Sequence, residues 1–113
     1  MDATELRAHS RQISSMLRAM ANEHKVLILG HLASGERSIG EIERLSGLNE
    51  SQVSHYLRRM HRDHLLNRRP SGLMVYYSLN SSLPLIILEA ISEVVTRTSA
   101  SALGQRKAPP KRG

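Results

Sequence analysis

Apolar residues recur three and four positions apart in five stretches of the chain, and this spacing predicts five helices. The first covers residues 1–21. The second follows Asn22, a good helix N-cap, and stops at Gly35. Two shorter helices lie within residues 38–63, and the last covers residues 85–98. A stretch of strand-like alternation separates the fourth helix from the fifth, so we expect a mainly α protein with a small β-hairpin.

The third and fourth helices carry matching start signals and are separated by a glycine. Ser38 with Glu41, and Asn49 with Gln52, both have the spacing of a capping box. Gly47 lies between the two helices. A glycine at this place is expected to end the third helix by adopting a left-handed backbone conformation. Two capped helices joined by a short turn around glycine predict a helix-turn-helix.

The fourth helix, residues 49–63, has one apolar and one polar face. The apolar face consists of Val53, Tyr56, Leu57 and Met60. The polar face consists of Ser51, Gln52, His55, Arg58, Arg59 and Arg62. Short hydrogen-bonding side chains near a helix start can reach base edges, and arginines further along can reach phosphates. The alternative is an ordinary solvated helix face that happens to be basic.

Residues 66–79 predict a two-stranded hairpin, or wing. Turn residues Pro70, Ser71 and Gly72 separate a short mixed segment from a segment rich in β-formers. Arg68 and Arg69 stand beside this turn. Arginines on a hairpin next to a helix-turn-helix can contact the DNA backbone or enter the minor groove.

The length and charge of the chain favour a small protein that binds nucleic acid. The chain has 113 residues, which suits one domain, and a formal net charge of +6 with a pI of about 10.5. We assign residues 1–103 to the domain and residues 104–113 to a basic, disordered tail. Because no apolar run could span a bilayer and no signal-peptide core is present, we expect a cytoplasmic protein without a membrane partner.

The segment from residue 17 to residue 79 resembles a winged helix-turn-helix transcription regulator of the ArsR/SmtB family. The resemblance rests on LRAMANEHKVLILGHL in the second-helix region, GLNESQVSHYLRRMHRDHLL around the fourth helix, and LNRRPSGLMVYYSL in the wing. Glu23 stands where the family usually has proline. Within the family, the chain is most similar to the regulators like BigR, HlyU and NolR. The resemblance implies a homodimeric DNA-binding repressor that recognises an imperfect palindrome.

The effector sites known in the family are missing from this sequence. Ser38 and Gly40 stand at the positions of a metal-binding Cys-x-Cys motif, and Gly30 stands at the position of a persulfide-sensing cysteine. The chain has no cysteine at all, which excludes thiolate metal sites and persulfide chemistry within it. A small effector is therefore left open and unidentified.

The candidate DNA-binding residues come from the capped helix starts, the polar face of the fourth helix and the wing. They are Ser38, Asn49, Glu50, Ser51, Gln52, Ser54, His55, Arg58, Arg59, Arg68 and Arg69. Glu50 could accept from a cytosine amino group or simply favour the helix N-terminus.

The last helix is too apolar for a monomer whose core is already formed by the winged domain. We therefore expect it to pair with the first helix across a dimer, as the family resemblance also implies. The candidate interface residues are Ile13, Met16, Leu17, Ile87, Leu88, Ile91, Val94 and Val95.

A metal site, an enzyme and a protein-binding module are the alternatives to DNA binding. Six histidines invite a metal hypothesis, but their spacing completes no ligand set, so we assign no metal and no cofactor. An enzyme is not expected, since the sequence has no Gly-rich phosphate loop, no paired carboxylates and no nucleophile motif. The remaining alternative is a winged-helix module that binds a protein partner and does not recognise a DNA sequence.

Overall fold

Residues 1–98 fold into five α-helices and a small antiparallel sheet. The structure, a computed structural model, describes residues 1–98. The elements in chain order are α1 (Ala3–Met20), α2 (Glu23–His31), β1 (Arg37–Ser38), α3 (Ile39–Ser46), α4 (Glu50–Arg62), β2 (Leu66–Ser71), β3 (Met74–Leu79) and α5 (Leu83–Thr98). The predicted winged helix-turn-helix is confirmed. The predicted tail, residues 104–113, and the predicted domain end at residue 103 lie outside the described residues.

Helix α2 ends earlier than its apolar pattern suggested. Asn22 caps its start, because the side-chain oxygen accepts from the backbone N–H groups of His24 and Lys25 at 2.8 and 3.2 Å. The helix ends at His31 and not beside Gly35, which instead adopts φ 137° in the following turn. The guanidinium of Arg37 donates to the His31 carbonyl at 2.7 Å and thereby satisfies one of the free carbonyls at this helix end.

The sheet has one strand more than the predicted hairpin. Its order is β1-β3-β2, so the two-residue strand β1 pairs with the far side of β3. The turn of the hairpin is also tighter than predicted, because Gly72 and Leu73 alone separate the paired residues Ser71 and Met74. Pro70 lies within β2, which is an edge strand, and an edge strand tolerates a residue without an N–H donor.

A single apolar core holds the helix-turn-helix against the sheet. Ile28, Leu29, Ile42, Leu57 and Met60 are among its buried members, together with residues from α1 and both wing strands. Three of the four apolar residues predicted for α4 are fully buried, and Tyr56 is partly buried beside them. This packing fixes α4 along its apolar side and leaves its other side at the surface. Within residues 1–98, no helix has the length and apolar character needed to cross a membrane.

Candidate nucleic-acid interface

The helix-turn-helix is built from two complete capping boxes. At the start of α3, Ser38 N–H donates to Glu41 at 2.9 Å, and Glu41 N–H donates to the Ser38 hydroxyl oxygen at 3.2 Å. The first of these bonds lowers the pKa of the Glu41 carboxyl, because it stabilises the charged form. Ser38 is only 4% exposed. Ser38 serves as a helix cap in this structure, and its burial leaves the side chain little surface for a contact with DNA.

The start of α4 is held in the same way. Asn49 N–H donates to the Gln52 side-chain oxygen at 3.1 Å, and Gln52 N–H donates to the Asn49 side-chain oxygen at 2.9 Å. Both amide oxygens are thus engaged within the helix start. The two amide nitrogens have no hydrogen-bond partner within residues 1–98, so they are available as donors.

The outer side of α4 is polar, basic and exposed. Glu50, Ser51, His55, Arg58, Arg59 and Arg62 are exposed, and Ser54 is half-buried. The ring of His55 rests edge-on against Tyr56 with centroids 4.9 Å apart, and Tyr56 rests in turn against His24 at 5.4 Å. These contacts hold the His55 ring at the surface while Tyr56 fills the boundary of the core.

Most of the arginines near this surface form no hydrogen bond or ion pair with the described part of the chain. The guanidinium groups of Arg58, Arg59 and Arg68 make no hydrogen bond or ion pair in the described part of the chain. Arg62, which the predicted contact set omitted, is exposed and equally uncommitted. Its signal was present in the sequence, since it falls on the same helix face as Arg58.

Arg69 differs from these arginines because its guanidinium is already paired. It donates to both carboxylate oxygens of Glu36, at 2.9 and 2.8 Å, and lies 4.7 Å from the centre of the Tyr76 ring. The hydrogen bond from Arg69 lowers the pKa of Glu36, and the same bond raises the pKa of Arg69. The pair ties the wing to the segment that precedes β1.

The tip of the wing carries an apolar side chain, Leu73, which lies in the turn and not in the strand that follows. Leu73 is fully exposed, at 103% of its reference area, beside Gly72 with φ 61°. A glycine at positive φ in the first position of a two-residue loop is what a tight hairpin turn requires. Apolar side chains at such tips can wedge between base steps in a minor groove.

The predicted dimer residues divide into two groups. Met16, Ile87 and Leu88 are partly buried against the core of the same chain. Ile13 and Leu17 on α1, and Ile91, Val94 and Val95 on α5, are exposed, Ile91 to 52%. Exposed apolar side chains grouped on one face of a helix are typical of a contact surface. Among residues 1–98, no group of three or more His, Asp or Glu side chains could hold a metal ion.

Comparison with known proteins identifies what this arrangement resembles. The family model described as "Bacterial regulatory protein, arsR family" matches residues 22–68. The transcriptional activator HlyU of Vibrio cholerae is 35% identical over 82 residues, which cover 73% of this chain and 76% of HlyU.

Two solved structures share the fold over most of the chain. NolR from Sinorhizobium fredii is 30% identical, with a TM-score of 0.70, over 83% of this chain and 94% of NolR. The homodimeric winged helix-turn-helix DNA-binding domain Mb0332 from Mycobacterium bovis is 26% identical, with a TM-score of 0.66, over 88% of this chain and 91% of that domain.

Proposed function

The chain belongs to the ArsR family of bacterial regulatory proteins, whose members are DNA-binding transcription regulators, and we propose that it acts as a homodimeric repressor of transcription in the cytoplasm. Two α4 helices would enter successive major grooves of an imperfect palindrome. The wing of each subunit would lie along the flanking backbone or minor groove.

The outer face of α4 carries this proposal. Ser51 and His55 are exposed near the start of the helix, and neither side chain makes a hydrogen bond within residues 1–98. Arg58 and Arg59 follow one turn later with uncommitted guanidinium groups. This order matches the requirements of a groove-reading helix, in which hydrogen-bonding groups read bases and cations hold the phosphates on either side.

The dimer is supported by the exposed apolar faces of α1 and α5. Ile91, Val94 and Val95 lie on one side of α5 and have no covering element within the described chain. Mb0332, which has the same fold, is described as homodimeric. A two-fold dimer would place its two recognition helices about 34 Å apart, one turn of B-DNA.

Selection of bound duplexes from a random DNA pool at about 0.15 M salt tests the proposal, because non-specific phosphate binding weakens steeply as salt rises. We expect a two-fold motif with half-sites about ten base pairs apart. An anisotropy titration of the enriched duplex then gives its affinity. If nothing is enriched and binding fades uniformly with salt, the proposal fails and a protein partner for the basic face becomes the better explanation.

Two variants separate base recognition from phosphate contact. We expect His55→Ala to relax sequence preference, at a cost of about 1–3 kcal/mol on the selected duplex. Arg58→Ala should weaken all duplexes alike and reduce the salt slope by about one. Equal losses of sequence preference in the two variants would contradict these assignments.

The sign of regulation needs a separate measurement, since one relative is named as an activator. A reporter gene placed downstream of the selected motif should be expressed less when the protein is present. An increase would show activation and leave the DNA-binding proposal intact.

A further inference from the structure

A basic cavity lies behind the recognition helix. It has a volume of about 710 Å³, is open to solvent on one side and is lined by α1, α2, α4 and the turn between α4 and β2. This volume is in the range of small-molecule sites. Its charged lining consists of Arg18, Lys25, Arg59, Arg62 and a single carboxylate, Asp63.

The cations of this cavity are not neutralised by the protein. No ion pair within residues 1–98 joins Asp63 to any of the four cationic side chains around it. Like charges that share one concave site repel each other and produce a positive potential in it. A bound anion would remove this repulsion.

Lys25 is the most informative member of the cluster. It is only 7% exposed, yet its ammonium makes no hydrogen bond or ion pair within the described chain. The burial is largely that of the four-carbon stem, since the Nζ atom of Lys25 keeps some solvent exposure. Because Lys25 lines the cavity, its positive charge is available to an anion that binds there.

The turn after α4 forms one edge of the cavity. His64 lines the same cavity and adopts φ 65°, the one non-glycine residue at positive φ within residues 1–98. Its backbone is held there by hydrogen bonds from His64 N–H to the His61 carbonyl at 3.1 Å and from Asn80 to the His64 carbonyl at 2.6 Å. Glycine would adopt this conformation at lower cost, so His64 carries a local conformational penalty beside the cavity.

We propose that this cavity binds a small organic anion that carries phosphate or carboxylate groups. Guanidinium forks from Arg18 and Arg62 match the geometry of such groups, and the Lys25 ammonium supplies a point charge. Gln12 and Ser15 on α1 also line the cavity and offer neutral hydrogen bonds to the rest of the ligand.

Arg59 connects this site to the recognition surface. It lines the cavity and is also one of the residues proposed to contact DNA phosphates. Resting on that proposed function, the bound anion would draw Arg59 away from DNA and weaken operator binding. This makes the anion an inducer that needs neither a metal nor a thiol.

Anion binding is tested first on the full chain without DNA. Citrate and inorganic pyrophosphate are titrated at constant ionic strength, with sodium chloride as the reference, while amide NMR shifts are followed. We expect saturable shifts at the cavity. Lys25→Met, which keeps the apolar stem, and Arg18→Gln should each weaken binding about ten-fold or more.

Arg7→Gln is the matched control, since Arg7 is exposed on α1 and lies outside the cavity. It should bind the anions as the unmodified chain does. Shifts spread over the whole basic surface, or equal losses in all three variants, would overturn the proposal. The dispersion of the amide shifts shows whether each variant is folded. If Lys25→Met does not fold, Arg18→Gln provides the test.

The second arm measures operator affinity at constant ionic strength with and without the anion that bound. We expect a loss of about ten-fold that Lys25→Met abolishes. Unchanged affinity would overturn the regulatory coupling. If Lys25→Met alone weakens DNA binding as much as Arg58→Ala does, the cavity holds a DNA phosphate and the proposal is wrong.

The first experiment contains no DNA. Its result therefore tests anion binding separately from the proposed function as a DNA-binding regulator.

Discussion

Arg68 and Arg69 are neighbours on the wing, but their guanidinium groups have different roles. Arg68 is uncommitted within the described chain, whereas Arg69 is held by Glu36 in a two-bond pair and stacks on Tyr76. Both residues precede the turn, but neighbouring side chains of a strand point to opposite faces of the sheet. Arg69 therefore meets Glu36, 33 residues earlier in the chain, and Arg68 does not.

Glu36→Gln should release Arg69 and add a free cation to the wing. We expect tighter binding to duplexes of any sequence and an increase of about one in the salt slope. Glu5→Gln removes the same charge from the start of α1 and is the control. Anisotropy titrations over a range of salt measure both, and equal effects of the two variants would contradict a specific role for the pair.

The same pair predicts a pH dependence of stability. The hydrogen bond from Arg69 lowers the pKa of Glu36 in the folded chain. The Glu36–Arg69 pair therefore contributes fully to the free energy of unfolding above the ordinary glutamate pKa. This contribution is lost as the pH falls through the lowered pKa. The wing should therefore loosen only in acid. Urea unfolding between pH 7 and pH 3 should show a smaller loss of stability in Glu36→Gln than in the unmodified chain. Parallel curves would contradict this.

His64→Gly should stabilise the folded chain, since the left-handed conformation costs a non-glycine residue about 1–2 kcal/mol. The greater freedom of glycine in the unfolded state offsets part of this, which leaves a gain of up to about 1 kcal/mol. His61→Gly, within α4, should instead destabilise by about 1 kcal/mol. Urea unfolding measures both variants, and a loss of stability in His64→Gly would refute the strain argument.

Local chemistry determined the elements that surround the recognition helix. Both capping boxes were predicted from four residues, because the bonds they make run between positions three apart. Strand β1 was not predicted, since two residues carry no periodicity and Arg37 and Ser38 become a strand only by pairing with Tyr77 and Tyr76. The turn of the wing was placed too early because proline is tolerated on an edge strand.

The turn between α3 and α4 depends on Gly47, which has φ 77° and no atom within 4 Å of an added Cβ. Gly47→Ala should therefore destabilise the fold by about 1–2 kcal/mol through conformation alone. Gly40, inside α3, is equally uncrowded but lacks a positive φ. Gly40→Ala should stabilise by about 0.5–1 kcal/mol. Thermal unfolding compares the two, and effects of the same sign would contradict the argument.

Apolar side chains of α1 and α5 lie at the surface of the molecule, and no other element of the described chain covers them. The apolar stripe of α5 was predicted from its spacing. Ile91, Val94 and Val95 on that stripe are exposed, and their place in a dimer interface stays a prediction. Which members also contribute to the core of the same chain could not be predicted, because Ile87 and Leu88 are partly buried by tertiary contacts alone.

Ile91→Glu should convert the proposed dimer to a monomer and weaken operator binding, since it places a charge in the apolar face. Thr96→Glu adds the same charge to the polar side of α5 and should leave the dimer intact. Sedimentation velocity gives the molecular mass, and circular dichroism checks that both variants are folded. A dimer of Ile91→Glu with unchanged stability would exclude α5 as the interface.

The sequence by itself determined the order of the helices, the caps of α2, α3 and α4, and the two-sided character of α4, because each depends on residues within one or two turns of each other. The tertiary structure decided which exposed cations are free. Arg58 and Arg69 are chemically identical, but only the folded chain brings a carboxylate to one of them. It also gathered Arg18, Lys25 and Arg62 from three helices around one cavity. Hydrogen bonds and charge interactions act across space over a few ångströms, and distance along the chain does not predict them.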